Sequence, residues 1–159
     1  MRRPAILFLA LGLACTPFYT GPKPPPPPKD MTPLQASEEV TWHTAIRVLA
    51  THDLPIEDLR RRGGWIETQV RPVDQSAAAG WADCVDQLQN SIAGPDRLAA
   101  LVRVVKLERD RTKISVEAEW SYSQDPNVTC QSRGVWERNM LTMIKQAAEQ
   151  EARREDADN

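Results

Sequence analysis

Long apolar runs, a basic excess and catalytic signatures are what this chain of 159 residues has least of. The one extended apolar stretch, Ala5 to Ala14 (AILFLALGLA), is ten residues long. A helix needs ~20 such residues to cross ~30 Å of hydrocarbon, so a membrane protein with several spanning helices is not expected. Lys and Arg total 20 against 22 Asp and Glu, a formal charge of −2. With no cationic surplus to neutralise phosphates, nucleic acid is not an expected partner. Neither GxGxxG nor GxxxxGKS/T occurs, so Gly63, Gly64 and Gly134 read as turn and helix-start glycines rather than phosphate loops. No nucleophile-elbow sequence accompanies the serines. His43 and His52 would fall on opposite sides of any one helix that held both. The cysteines lack a CxxC pair and have no histidine near them, which leaves no zinc ligand set. No catalytic residue, metal or cofactor is therefore expected.

What the chain does have is distributed unevenly. Nine of its 13 prolines precede Leu34, so a folding domain is expected over residues 34–150. Met1 to Arg3 is a positive leader start, and the apolar run ends at Cys15, so residues 1–14 read as a signal peptide. Leu11-Gly12-Leu13-Ala14-Cys15 resembles the lipobox of bacterial lipoproteins. That resemblance implies cleavage before Cys15 and a diacylglycerol on its sulfur. Thr16, where an Asp would signal inner-membrane retention, implies the outer membrane as destination. Gly12-x-Ala14 also suits ordinary signal-peptidase cleavage, which would give a soluble periplasmic or secreted product. Residues 15–33 then form a tether. Its five consecutive prolines, Pro24 to Pro28, favour polyproline II at ~3.1 Å per residue, a semi-rigid spacer.

With Cys15 lipidated, Cys84 and Cys130 remain as an even pair in an oxidising compartment, and a disulfide between them is expected. The domain reads as helix, strands, helix. Thr32 to Ala50 opens with Pro33, carries Ser37 and an acidic pair, and places Trp42, Ala45, Ile46 and Leu49 on one helical face. LPIEDL and Trp65 to Arg71 flank Arg60-Arg61-Arg62-Gly63-Gly64 and suggest a hairpin. Ile114, Val116, Ala118, Trp120 and Tyr122 alternate with polar residues including Glu117 and Glu119. This describes a strand with one buried face, paired with Leu98 to Glu108 through Arg109-Asp110-Arg111. Residues 73–96 are small and polar, with a helical turn expected around Cys84. Leu141, Ile144 and Ala148 mark a long C-terminal helix that gives way to a charged tail over 151–159. The αββ-ββα order predicts a two-layer α+β domain. About four strands in one antiparallel sheet would pack against an N-terminal and a C-terminal helix. A small, strongly bent sheet wrapping one helix is the alternative.

In pattern, the tether, the helix leading into LPIEDLRRRGGWIETQV and the closing CQSRGVWERNMLTMI are similar to small helix-grip, BamC-like envelope lipoproteins. That resemblance carries no catalytic residues. The tether, the expected disulfide and the lack of a catalytic constellation predict a tethered interaction or assembly module, which the lipobox resemblance anchors in the outer membrane, facing the periplasm and meeting an envelope protein. The alternative is a periplasmic module binding a small apolar ligand. The compact positive turn Arg60, Arg61 and Arg62 runs into Trp65, joining steering charge to an aromatic anchor, and is the candidate partner surface. Of the five tryptophans in a domain without Phe (Trp42, Trp65, Trp81, Trp120 and Trp136), Trp42 and Trp120 sit in core patterns, whereas Trp65 alternates out of phase with Ile66 and Val70 and Trp136 lies off the Leu141 and Ile144 stripe, which leaves both open between core and surface.

Overall fold

The computed structural model describes residues 31–158. The expected signal peptide, the lipidation at Cys15 and nearly all of the tether lie outside the described residues. Two antiparallel sheets and three helices make up an α+β domain: β1 (Thr32–Leu34), α1 (Glu38–Thr51), β2 (Ile56–Arg60), β3 (Trp65–Thr68), β4 (Arg71–Pro72), α2 (Gln75–Ala78), β5 (Ala82–Val85), β6 (Ser91–Ile92), β7 (Arg97–Glu108), β8 (Arg111–Ser121), β9 (Thr129–Ser132) and α3 (Val135–Asp158).

The long β7–β8 hairpin is the spine, turning at Arg109-Asp110 as the alternation predicts. The main sheet runs β1-β8-β7-β3-β2, and β4 adds to the end of β7. Period two puts Leu98, Ala100, Val102 and Val104 of β7 on the same face as Thr112, Ile114, Val116 and Trp120 of β8. α1 and α3 pack against each other and against this face. They bury Trp42, Ala45 and Leu49 from α1 with Met140, Ile144 and Ala148 from α3. Glu117 and Glu119 point the other way and are exposed, as the alternation requires. The buried threonines are satisfied internally: the Thr41 and Thr112 hydroxyls lie 3.0 Å apart, and the Thr68 hydroxyl accepts from the Ala100 amide at 2.8 Å. Burial therefore leaves these hydroxyls bonded.

Four expectations are corrected. The strands number nine in two sheets, not about four in one, and a strand precedes the first helix. Thr32–Leu34 pairs with the edge of β8, where Pro33 need not donate to a ladder. The helix begins only at Glu38, its Ser37 cap accepting from the Val40 amide. Cys84 lies in a strand rather than a helical turn. The turn sits earlier, at α2, where Asp74 caps the Ala77 amide. The segment 151–158 continues α3 rather than forming a tail. Its Glu, Ala and Arg residues are strong helix formers, with ion pairs from Glu151 to Arg154 at 3.6 Å and to Arg47 of α1 at 3.7 Å.

The second sheet, β6-β5-β9, is built from residues that carry little apolar pattern. Cys84 and Cys130 face each other in the β5–β9 register and are joined as a disulfide, as expected. Arg133 adds an ion pair across the same strands to Asp83. Four carboxyls between the start of α2 and the start of β7 titrate below the ordinary aspartate range. The causes are the Ser76 hydroxyl at Asp74, the Arg133 guanidinium at Asp83, the Asn90 side chain at Asp86 and the Ser123 hydroxyl at Asp96. Each partner bonds the charged carboxylate, so it lowers the folded value relative to the unfolded chain. The resulting stability is present above the ordinary aspartate range, about 3.9, and is lost as pH falls through the lowered values. Asp83 and Asp86 lie in the second sheet and its turn, whereas Asp96 joins only the ends of β7 and β8, so hydrogen exchange at pH 6 and pH 3 should show β5–β9 amides losing more protection than amides in the middle of the β7–β8 hairpin. Uniform loss would contradict the assignment.

Candidate functional site

The β2–β3 hairpin turns through a single 3-10 turn, Arg61–Gly63, closed by Gly64 in the left-handed region at φ 62°. Gly64 is needed twice over. Its carbonyl accepts from the Val104 amide at 2.8 Å, and a Cβ on Gly64 would stand 1.8 Å from the Val104 carbonyl oxygen. Only glycine brings the turn this close to β7.

Of the predicted site residues, Arg61 and Trp65 are engaged within the fold. Arg61 ion-pairs with Glu39 at 2.7 Å and with Glu38 at 3.6 Å, at the start of α1. Its guanidinium carbon lies 4.8 Å from the centre of the Trp42 ring. It therefore clamps the turn onto the helix. Trp65 is only 9% exposed, with the Arg103 guanidinium carbon 4.6 Å from its ring centre. Arg60 and Arg62 are exposed, Arg60 beside Asp58 at 2.6 Å. Arg60 and Trp65 are opposite partners on β2 and β3, so the turn presents two cations above a packed aromatic.

The register also brings cations the sequence reading did not join to the turn. Gly64 stands against Val104, and β7 runs on past it to Lys106 and the hairpin end at Arg109. Lys106 and Arg109 are both exposed. Arg111 at the same end pairs with Glu108 at 3.6 Å. One end of the sheet is thus rich in cations, although the chain carries a net negative charge. The signal for this grouping was the Arg109-Asp110-Arg111 turn itself, once β3 is known to lie beside β7.

A second concave feature lies where α1 ends. Asp53, at φ 55°, stops the helix, and the Leu54 amide turns back to the Leu49 carbonyl at 3.0 Å. A cleft of about 250 Å³ opens beside this turn, walled by Leu54, Trp81, Leu98, Trp136, Met140 and Met143. Trp81 and Trp136 each contact Trp120, with ring centres 6.0 Å apart. His52, Arg71 and Asn139 supply its polar groups. Trp136 stood off the Leu141 and Ile144 stripe in the sequence, and that offset was the legible trace of this cleft.

His43 bonds Glu39 at 2.7 Å, one turn back on α1, whereas His52 is the C-cap, so the two histidines are not brought together. Among the described residues no three metal-capable side chains gather, and no helix is long and apolar enough to cross a membrane. No protein-family model matches the chain, and no curated protein is significantly similar to it.

Proposed function

We propose that the protein is a lipid-anchored envelope module whose cationic sheet end docks on an acidic surface of an envelope protein. The observation that carries this reading is the grouping of Arg60, Arg62, Lys106 and Arg109, from two hairpins, at one end of a sheet braced by Gly64 and Arg61. A cationic cluster carried on a braced turn and hairpin end steers an acidic partner toward that end of the sheet. Arg61 and Trp65 hold the surface in place, and Arg60 and Arg62 touch the partner.

The anchor belongs to the same proposal. The lipobox-like sequence ending at Cys15 and the five-proline run after it would hold the domain about 40 to 55 Å from the outer membrane if largely extended, facing the periplasm. The likeness to helix-grip, BamC-like lipoproteins also belongs here. Intact-mass analysis of the mature protein should find acyl chains on an N-terminal cysteine at position 15. A soluble product beginning elsewhere would remove the anchor from the account. The cleft beside Trp136 favours a second reading, as a small-ligand module, and that reading concerns a different part of the fold.

A further inference from the structure

The cleft at the end of α1 has an apolar body and a cationic edge. Its walls are the Trp81 and Trp136 rings, the Met140 and Met143 thioethers, and Leu54 and Leu98. Flat rings and polarizable sulfurs suit an aromatic guest better than a branched aliphatic one. At about 250 Å³ it falls below the ~300–1,000 Å³ of drug-sized ligand sites, so the guest is one ring with a short side chain.

The polar edge sets the charge of the guest. Arg71 reaches the cleft from β4 and donates from Nη1 to the Asp53 carbonyl at 2.9 Å. Its Nε is buried and has no hydrogen-bond partner. No Asp or Glu lines the cleft, and no carboxylate of the described residues ion-pairs with Arg71. Nε is too enclosed for a guest to reach, but Nη2 makes no hydrogen bond among the described residues and is not enclosed, so an anionic oxygen at the cleft edge would take a charge-assisted bond from it. His52 and Asn139 add hydrogen-bonding side chains at the same edge.

We infer that this cleft binds a small aromatic carboxylate, its ring between Trp81 and Trp136 and its carboxylate on Arg71. The site lies apart from the cationic sheet end and does not depend on the docking reading. The test is a titration of the full-length, isotopically labelled protein in detergent with 3-phenylpropionate, followed by the tryptophan indole resonances. The Trp81 and Trp136 signals should shift saturably while those of Trp42 and Trp65 stay in place. The neutral 3-phenylpropionamide should bind at least tenfold more weakly. Arg71→Gln should bring the carboxylate down to the affinity of the amide. Met143→Trp, which fills the cleft from its half-buried rim, should abolish binding of both. An absence of saturable shifts, equal movement of all five indoles, or an amide that binds as well as the carboxylate would overturn the assignment. If Arg71→Gln fails to fold, the carboxylate-to-amide ratio in the unmodified protein and the Met143→Trp result decide the question.

Discussion

Replacing Cys84 and Cys130 together with Ala should lower the unfolding free energy by about 4 kcal/mol, the chain-entropy value for a loop of this length. The two are 46 residues apart in sequence, and the loop between them contains β6, β7 and β8. A domain of this size is commonly stable by only ~5–15 kcal/mol, so the loss takes a large share. It should fall first on the second sheet. β5, β6 and β9 are two to four residues long, too short to hold their register by packing alone. Chemical denaturation, with the disulfide confirmed by non-reducing peptide mapping, measures the effect. An unchanged midpoint in the double variant would show that the bond contributes nothing to the fold.

Gly64→Ala should cost about 3 kcal/mol or more, since it adds a left-handed strain to an overlap with backbone that cannot step aside. The position has φ 62°, and the new methyl would lie 1.8 Å from the Val104 oxygen and 2.9 Å from its carbonyl carbon. Relief requires the turn to lift from β7, which would break the Gly64 to Val104 hydrogen bond and release Arg61 from Glu38 and Glu39. Gly80→Ala is the matched control. A Cβ there meets nothing nearer than 3.5 Å, so its unfolding free energy should change by less than about 1 kcal/mol. Equal effects at the two positions would refute the close-approach argument.

The parts of this fold that were legible are those in which one face is buried and the other wet over many residues. β8 alternates in polarity from Arg111 to Ser121 because α1 and α3 cover one side of it, the burial departing from that period at Ser115, opposite Arg103, and the same cover marks α1 through Trp42, Ala45 and Leu49. The second sheet was not legible. ADCV and TCQS are too short to show a period, and a cross-link and the Asp83–Arg133 pair help hold them together. β1 was hidden for a different reason. A Pro near a helix start and a Pro at a sheet edge look alike in sequence, and only the partner strand distinguishes them. The far end of α3 lacks an apolar stripe, so it read as a tail. Intrinsic propensity and ion pairs sustain it instead.

The candidate site was legible as composition but not as geometry. Three consecutive arginines beside Gly-Gly announce a cationic turn. Which arginine faces inward depends on Trp42 and Glu39, some 20 residues earlier. Trp65 was undecided from sequence because a strand residue out of phase with its neighbours faces either solvent or another side chain. Here that side chain is Arg103, 38 positions later.

The most direct test of the docking account is a photo-crosslinking residue placed at Arg62 of the full-length protein in cells, with Leu88 as control. Leu88 is 81% exposed and lies beyond β5, away from the cationic end. The account predicts one discrete protein adduct from position 62, none from position 88, and loss of the adduct when Lys106 and Arg109 are both changed to Glu. No adduct from position 62, the same adduct from both positions, or an adduct that survives the charge reversal would contradict it.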